Sequence, residues 1–195
     1  MAVPARELTL PEAKASGFNS MVAVARATLG PELFAEVLRH VPAATRALVE
    51  TPPLPVSWIP VARYGEVVAA VLAHGFGGDE RRMVEMGRRA FEQDLKTLYR
   101  VFIKLLSPLH VIERGTKLWL TYNRNNGLLR ATPSGENRCE ITYEGVVGVY
   151  PGFWSFQRGC LTAAVHATGF KQVTITLVRG GGRSGDATFT IEWRA

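Results

Sequence analysis

Near the end of the chain, apolar and polar positions alternate with a period of two. Val173, Ile175 and Leu177 stand among threonines, then Ala187, Phe189, Ile191 and Trp193 alternate with Thr188, Thr190 and Glu192. That period predicts two strands, each with one face on a core. The stretch between them, RGGGRSGD, has the glycines of a connection. RCEITYEGVV repeats the pattern, with Cys139, Ile141 and Tyr143 on one face and Arg138, Glu140, Thr142 and Glu144 on the other. KLWLTY and GLLRAT, on either side of NRNNG, read as a further strand pair, because Asn126-Gly127 tolerates positive φ in a tight turn.

Earlier in the chain the apolar spacing is three and four. SGFNSMVAVARATL and PELFAEVLRHV read as helices broken at Gly30-Pro31, with the proline at a first helical position, and PAATRALVE adds a short helix. TPPLPVSWIP predicts an extended connector, since its prolines cannot continue a helix, with Trp58 and Ile59 tucked against the body. A helix resumes over about 62–74 and ends at Gly75, Gly77 and Gly78. The longest helix starts at an N-cap, Asp79, and is predicted to run to Leu106, where Ser107-Pro108 stops it. Val84, Phe91, Leu95, Leu98, Phe102 and Leu105 form its inward stripe, and Arg88, Glu92 and Lys96 follow one another on its wet side. Gly87 inside it costs about 1 kcal/mol of helix propensity against alanine, so it points to a close neighbour, either a backbone or a ligand.

A last helix, 151–168, opens at Pro151 and closes at Gly169, and its Gly159, Cys160, Ala163, Ala164 and Ala167 let it lie close to a sheet. The order is helices, strands, helix, hairpin. It predicts an α+β fold: a helical N-terminal half (1–110) packed on a four-stranded antiparallel sheet (111–195), with the 151–168 helix crossing before the last hairpin. At 195 residues, 47% of them apolar, a single domain spanning 1–195 is expected.

The net charge of +6 is unevenly placed, with 12 Lys or Arg against 11 Asp or Glu in residues 1–100 and 11 against 6 in residues 101–195. A basic C-terminal half attracts anionic partners, but no helix carries a dense Lys/Arg stripe, which argues against nucleic acid. Cys139 and Cys160 lack CxxC spacing, and no apolar leader or run of about 18 apolar residues is present. A reducing, cytoplasmic setting is the expectation, with no membrane span.

Spacing supports no enzyme constellation. His40, His74, His110 and His166 form no HExxH or HxH group, two cysteines cannot complete a structural zinc set, and GxSxG is absent. No metal or cofactor is expected. GGGRSGD lacks the lysine, the following serine or threonine and the helix of a phosphate loop, so it reads as a mobile connection. Were it a site, Arg179 and Arg183 would contact an anionic ligand or an acidic partner surface. The aromatic residues carry more. Trp119, Tyr143, Trp154 and Phe189, with Cys160 and His166 of the last helix, are the candidate lining of a pocket for a small hydrophobic ligand between that helix and the sheet.

The long helix ending in LLSP, the stretch RGTKLWLTYNRNNGLLRAT, the run from Gly148 through GCLTAAVHATG, and a closing hairpin ending in Trp193 together resemble an uncharacterised paralogous family expanded in myxobacteria. More distantly, the ending is similar to the 4-vinyl-reductase-like domain, the vesicle-tethering TRAPP subunits and the haem nitric-oxide-binding domains. That resemblance implies helices packed on a four-stranded sheet, binding of small hydrophobic molecules, haem or one another, and a tendency to dimerise. Two departures count against haem and zinc: the Tyr-x-Ser-x-Arg motif that holds haem propionates is missing, and GGGRSGD has no cysteines.

The functional expectation is a non-enzymatic sensory or protein-interaction module for signalling, working through a protein partner or self-association, with room for a hydrophobic ligand. The alternatives are an enzyme acting on an aromatic or isoprenoid-like substrate, with His166 and Tyr143 or Glu144 as acid and base, and a haem-binding sensor using His166.

Overall fold

The computed structural model describes residues 10–98 and 107–194. β1 (Glu12–Lys14) leads directly into α1 (Ala15–Leu29), whose Phe18, Met21, Val22 and Ala25 recur at helical spacing and are all buried. The break falls where the sequence places it. Gly30 takes a φ of 77° and Pro31 opens α2 (Pro31–Arg39), followed by α3 (Ala43–Glu50). After the extended connector, β2 (Trp58–Pro60) precedes α4 (Val61–Ala70), which runs on into a π-helical turn over Val71–Gly75.

α5 (Glu80–Leu98) is capped as expected: Asp79 Oδ1 accepts the Arg81 N–H at 3.0 Å. Among its described residues Met83, Met86, Gly87 and Ala90 are buried, while Val84, Phe91 and Leu95 of the expected stripe are only half-buried. Arg88 bonds Glu85 at 2.6 and 2.8 Å and also Glu92. The side chains of Lys96 and Leu98, and Phe102 and Leu105 altogether, lie outside the described residues.

Ser107-Pro108 opens a helix rather than only ending one. Ser107 Oγ accepts the His110 N–H at 3.3 Å, and Pro108 is the first residue of α6 (Pro108–Tyr122). KLWLTY is therefore helical, not a strand, and the helical part extends to 122 instead of 110. The cause is a helical stripe, Leu109, Ile112, Trp119 and Tyr122, that outweighs the brief alternation around Trp119. NRNNG is then a helix-to-strand connection. Asn126 is buried, accepting from Val147 N at 2.8 Å and donating to Asn123 Oδ1 at 3.0 Å. β3 (Asn123–Arg124) joins β1 and β2 in a small antiparallel sheet, order β2-β1-β3, with Trp58 between Lys14 Nζ (4.1 Å from the ring centroid) and the Arg124 guanidinium (3.8 Å).

The main sheet has the order β4-β5-β7-β6, built from β4 (Leu128–Gly135), β5 (Arg138–Glu144), β6 (Gln172–Gly180) and β7 (Ala187–Arg194), and every pairing is antiparallel. Cys139 stands opposite Ile191 and Ile141 opposite Phe189, so one face is apolar as the period predicts. α7 (Phe153–His166) crosses before the last hairpin. It sends Trp154, Leu161 and Val165 into the core against the sheet and Phe156 into the core among the helices, so it is the shared wall between the two.

α5 and α7 meet through paired glycines. A Cβ on Gly87 would stand 2.1 Å from Phe156 O, and one on Gly159 would stand 2.0 Å from Val84 O. The close neighbour that Gly87 implies is thus the α7 backbone. Among the described residues no helix is long and apolar enough to cross a membrane.

Candidate functional site

Where α7 passes from the helical core to the sheet, a cavity of about 590 Å³ opens. Its walls include Tyr64 of α4, Phe91 and Leu95 of α5, Trp119 of α6, Tyr143 of β5 and Leu161 of α7. This accounts for the incomplete burial of Phe91 and Leu95, both of which line the cavity.

The polar groups on the wall are few and mostly engaged. The Tyr64 hydroxyl donates to Gly17 O at 3.2 Å, and burial, aided by Cys160 and Asp94, holds its pKa well above the ordinary phenol value. The Cys160 thiol donates to Gly87 O at 3.5 Å, and burial, then Asp94, pushes its pKa up as well. Burial likewise raises Tyr143. Held protonated, these phenols and this thiol are poor nucleophiles and poor metal ligands. Asp94 accepts from Ser20 Oγ, and burial raises its pKa against that bond.

The native state therefore holds the Asp94 proton more tightly than the unfolded chain does, and stability falls as the pH rises through the raised pKa and stays lower above it. Asp94→Asn is expected to raise the denaturant midpoint at pH 8. That gain should shrink as the pH is lowered into the ordinary carboxylate range, which urea titrations at pH 8 and pH 4 would measure.

Of the residues the sequence singles out, Trp119, Tyr143 and Cys160 line this cavity. Trp154 and Phe189 pack edge-on against Tyr143, with centroids 5.2 and 6.1 Å away, but they line a second hollow of about 310 Å³ beside Arg183. His166, half-exposed at the end of α7, lines neither. Glu144 is on the sheet, 3.4 Å from Arg130, so no base from His166 or Glu144 meets Tyr143 in the cavity.

The RGGGRSGD loop is tied down, contrary to its reading as a mobile connection. Trp154 Nε1 donates to Ser184 O at 3.2 Å, Val146 N to Gly185 O at 2.9 Å and Gly145 N to Asp186 Oδ1 at 2.7 Å. Arg179 reaches Thr188 Oγ1 at 3.4 Å. The loop closes the end of the sheet, and its glycines serve close approach: a Cβ on Gly185 would lie 2.4 Å from Val146 O.

Two groupings have no counterpart in the sequence reading. Arg114, Gly115 and Lys117 of α6 line the cavity. The rings of His40 and His74 stack with centroids 3.6 Å apart, and His40 Nε2 lies 3.6 Å from Glu36 Oε1. Among the described residues no cluster of three or more His, Cys, Asp or Glu could hold a metal ion, and both cysteines are free.

A family model described as Protein of unknown function (DUF2378) matches residues 13–194. No curated protein matches the chain significantly. Solved structures do. The iron(II) unliganded H-NOX protein from K. algicida superposes with a TM-score of 0.71 at 10% identity, covering 93% of this chain and 97% of that one. An H-NOX variant from T. Tengcongensis gives 0.68 at 13% identity, covering 93% and 98%. An oxygen binding H-NOX domain related to soluble guanylate cyclases gives 0.67 at 12%, covering 93% and 95%. At these identities the likeness is one of fold. It carries the sequence resemblance to the haem NO-binding domains that far, and gives no support to the myxobacterial, 4-vinyl-reductase or TRAPP likenesses.

Proposed function

We propose that this chain, which belongs to the DUF2378 family, is a non-enzymatic sensory module that binds a small hydrophobic molecule in the cavity between α5, α6, α7 and the sheet. The cavity carries the reading. Its volume falls inside the range of about 300–1,000 Å³ typical of ligand sites, and it combines apolar and aromatic walls with a few hydrogen-bonding groups. The shared fold with H-NOX domains, one of them oxygen binding, supports a sensory role. Of the acid and base the enzyme alternative needs, Tyr143 lines the cavity while His166 and Glu144 do not.

A neutral environment-sensitive fluorophore, N-phenyl-1-naphthylamine, is expected to bind the full chain saturably at one per chain and to quench Trp119. Failure to saturate, with no change in tryptophan emission, would remove the reading. Light scattering with and without the fluorophore shows whether occupancy changes self-association, the simplest way for such a module to pass on its state.

Haem is the group the fold brings to mind, and the residues present do not fit it. Haem iron takes histidine, thiolate, methionine or tyrosinate. No histidine or methionine is on the described lining, burial holds the protons of Cys160, Tyr64 and Tyr143 there, Tyr122 is the one further tyrosine of that lining, and no tyrosine in the chain has serine two and arginine four residues on. Haem titrated into the protein is expected to give no one-to-one shift of its Soret band. A sharp band completed at one haem per chain would restore the haem-sensor alternative.

A further inference from the structure

The cavity lining is uneven in charge. Its charged residues are Lys14, Asp94, Arg114 and Lys117. Lys14 is engaged, donating to Val56 O at 3.0 Å with its ammonium over Trp58. Asp94, the lone carboxylate among the described lining residues, is bonded to Ser20, and burial biases it toward its neutral form. Arg114 and Lys117 differ from both. They are exposed at the solvent side, three residues apart on one face of α6, and neither side chain has an ion-pair or hydrogen-bond partner among the described residues. Gly115, on the side of α6 that carries Val111, Ile112, Trp119 and Tyr122, leaves a gap: a Cβ there would meet nothing within 4 Å among the described residues. An apolar chamber thus opens past two cations that form no close ion pair among the described residues; Glu113, one residue before Arg114 and four before Lys117 on α6, is exposed but not on the described lining.

We propose that the ligand is an amphipathic carboxylate whose apolar part fills the chamber while its anionic head pairs with Arg114 and Lys117 beside Gly115. This rests on the reading of the cavity as a ligand site and narrows it to one chemical class. Guanidinium and ammonium groups recognise a carboxylate by charge-assisted hydrogen bonds. The head stays near water, where both cations are solvated, so binding does not require burying an ion.

The test compares three probes of one chain length below their micelle concentrations, dodecanoate, dodecanol and dodecylamine, by displacement of N-phenyl-1-naphthylamine from the full chain. Dodecanoate is expected to bind about 10-fold more tightly than dodecanol, with dodecylamine weakest. The ratio of dodecanoate to dodecanol affinity should approach unity in Arg114→Gln/Lys117→Gln, and in the wild type it should fall as salt is raised. Circular dichroism serves as the check that the doubly substituted chain is folded. Equal binding of all three probes, or a carboxylate preference that survives the double substitution, overturns the proposal and leaves the cavity reading standing. If none of the three displaces the fluorophore, the cavity reading falls and takes this proposal with it.

Discussion

Gly159→Ala is expected to lower the midpoint of thermal unfolding by about 10 °C. The added methyl would sit 2.0 Å from Val84 O and 2.6 Å from Arg88 N, and both of those atoms belong to the α5 backbone. A flexible side chain could turn away from such a clash, but backbone must move as a helix. Overpacking of a filled core costs about 1–3 kcal/mol when side chains can adjust, and the upper end applies where they cannot. For a chain of this size each kcal/mol moves the midpoint by about 2–4 °C. Gly87→Ala should behave alike, because its Cβ would lie 2.1 Å from Phe156 O. Gly115→Ala is the control: its Cβ has open space, and replacing a helix-interior glycine should gain about 0.5–1 kcal/mol. Calorimetry on the three variants decides the matter. A Gly159→Ala midpoint equal to that of the wild type would mean that the α5–α7 crossing is looser than the structure has it.

The strands that close the chain are legible because each has residues enough to show its period. Cys139, Ile141 and Tyr143 on β5 and Phe189, Ile191 and Trp193 on β7 are all buried, as alternation alone predicts. KLWLTY misleads for the opposite reason. Six residues with Leu118 and Leu120 around Trp119 fit a strand as well as a helix, and only the longer stripe from Leu109 to Tyr122 separates them. Ser-Pro is ambiguous in the same way, since a proline that cannot continue one helix is well suited to begin the next. The β1–β2–β3 sheet has strands of two or three residues, too short for any pattern.

The site was legible in part, and the division has a physical cause. Trp119, Tyr143 and Cys160 could be named because large or soft side chains near a sheet attract attention whatever they face. Trp154 and Phe189 stand on the same sheet and helix but line the smaller hollow, and sequence does not say which side of a core an aromatic ring closes. Arg114, Gly115 and Lys117 do not stand out in the sequence, because KLWLTY reads as a strand and no helical face runs through the residues before it. Gly87 stands out as a glycine inside a helix, whereas its meeting with Gly159 is a tertiary event that no local spacing encodes.

Gly115→Phe should abolish ligand binding without loss of the fold. The new ring enters space that is empty around Gly115 and lies on the cavity wall, so it competes with the ligand's apolar part for the same volume. It also removes a glycine from the interior of α6, which favours the helix by several tenths of a kcal/mol. In the absence of ligand the variant should melt at or slightly above the wild-type midpoint. The wild type, with N-phenyl-1-naphthylamine at about 100 times its dissociation constant, gains about 2.7 kcal/mol from occupancy, a rise of about 5–10 °C. The variant should show none of that rise, and its affinity should be weaker by at least about 100-fold. Both halves of the result are needed. A variant that unfolds would show that α6 packs more closely than the open space at Gly115 implies, while one that folds and binds normally would place the fluorophore somewhere other than this chamber.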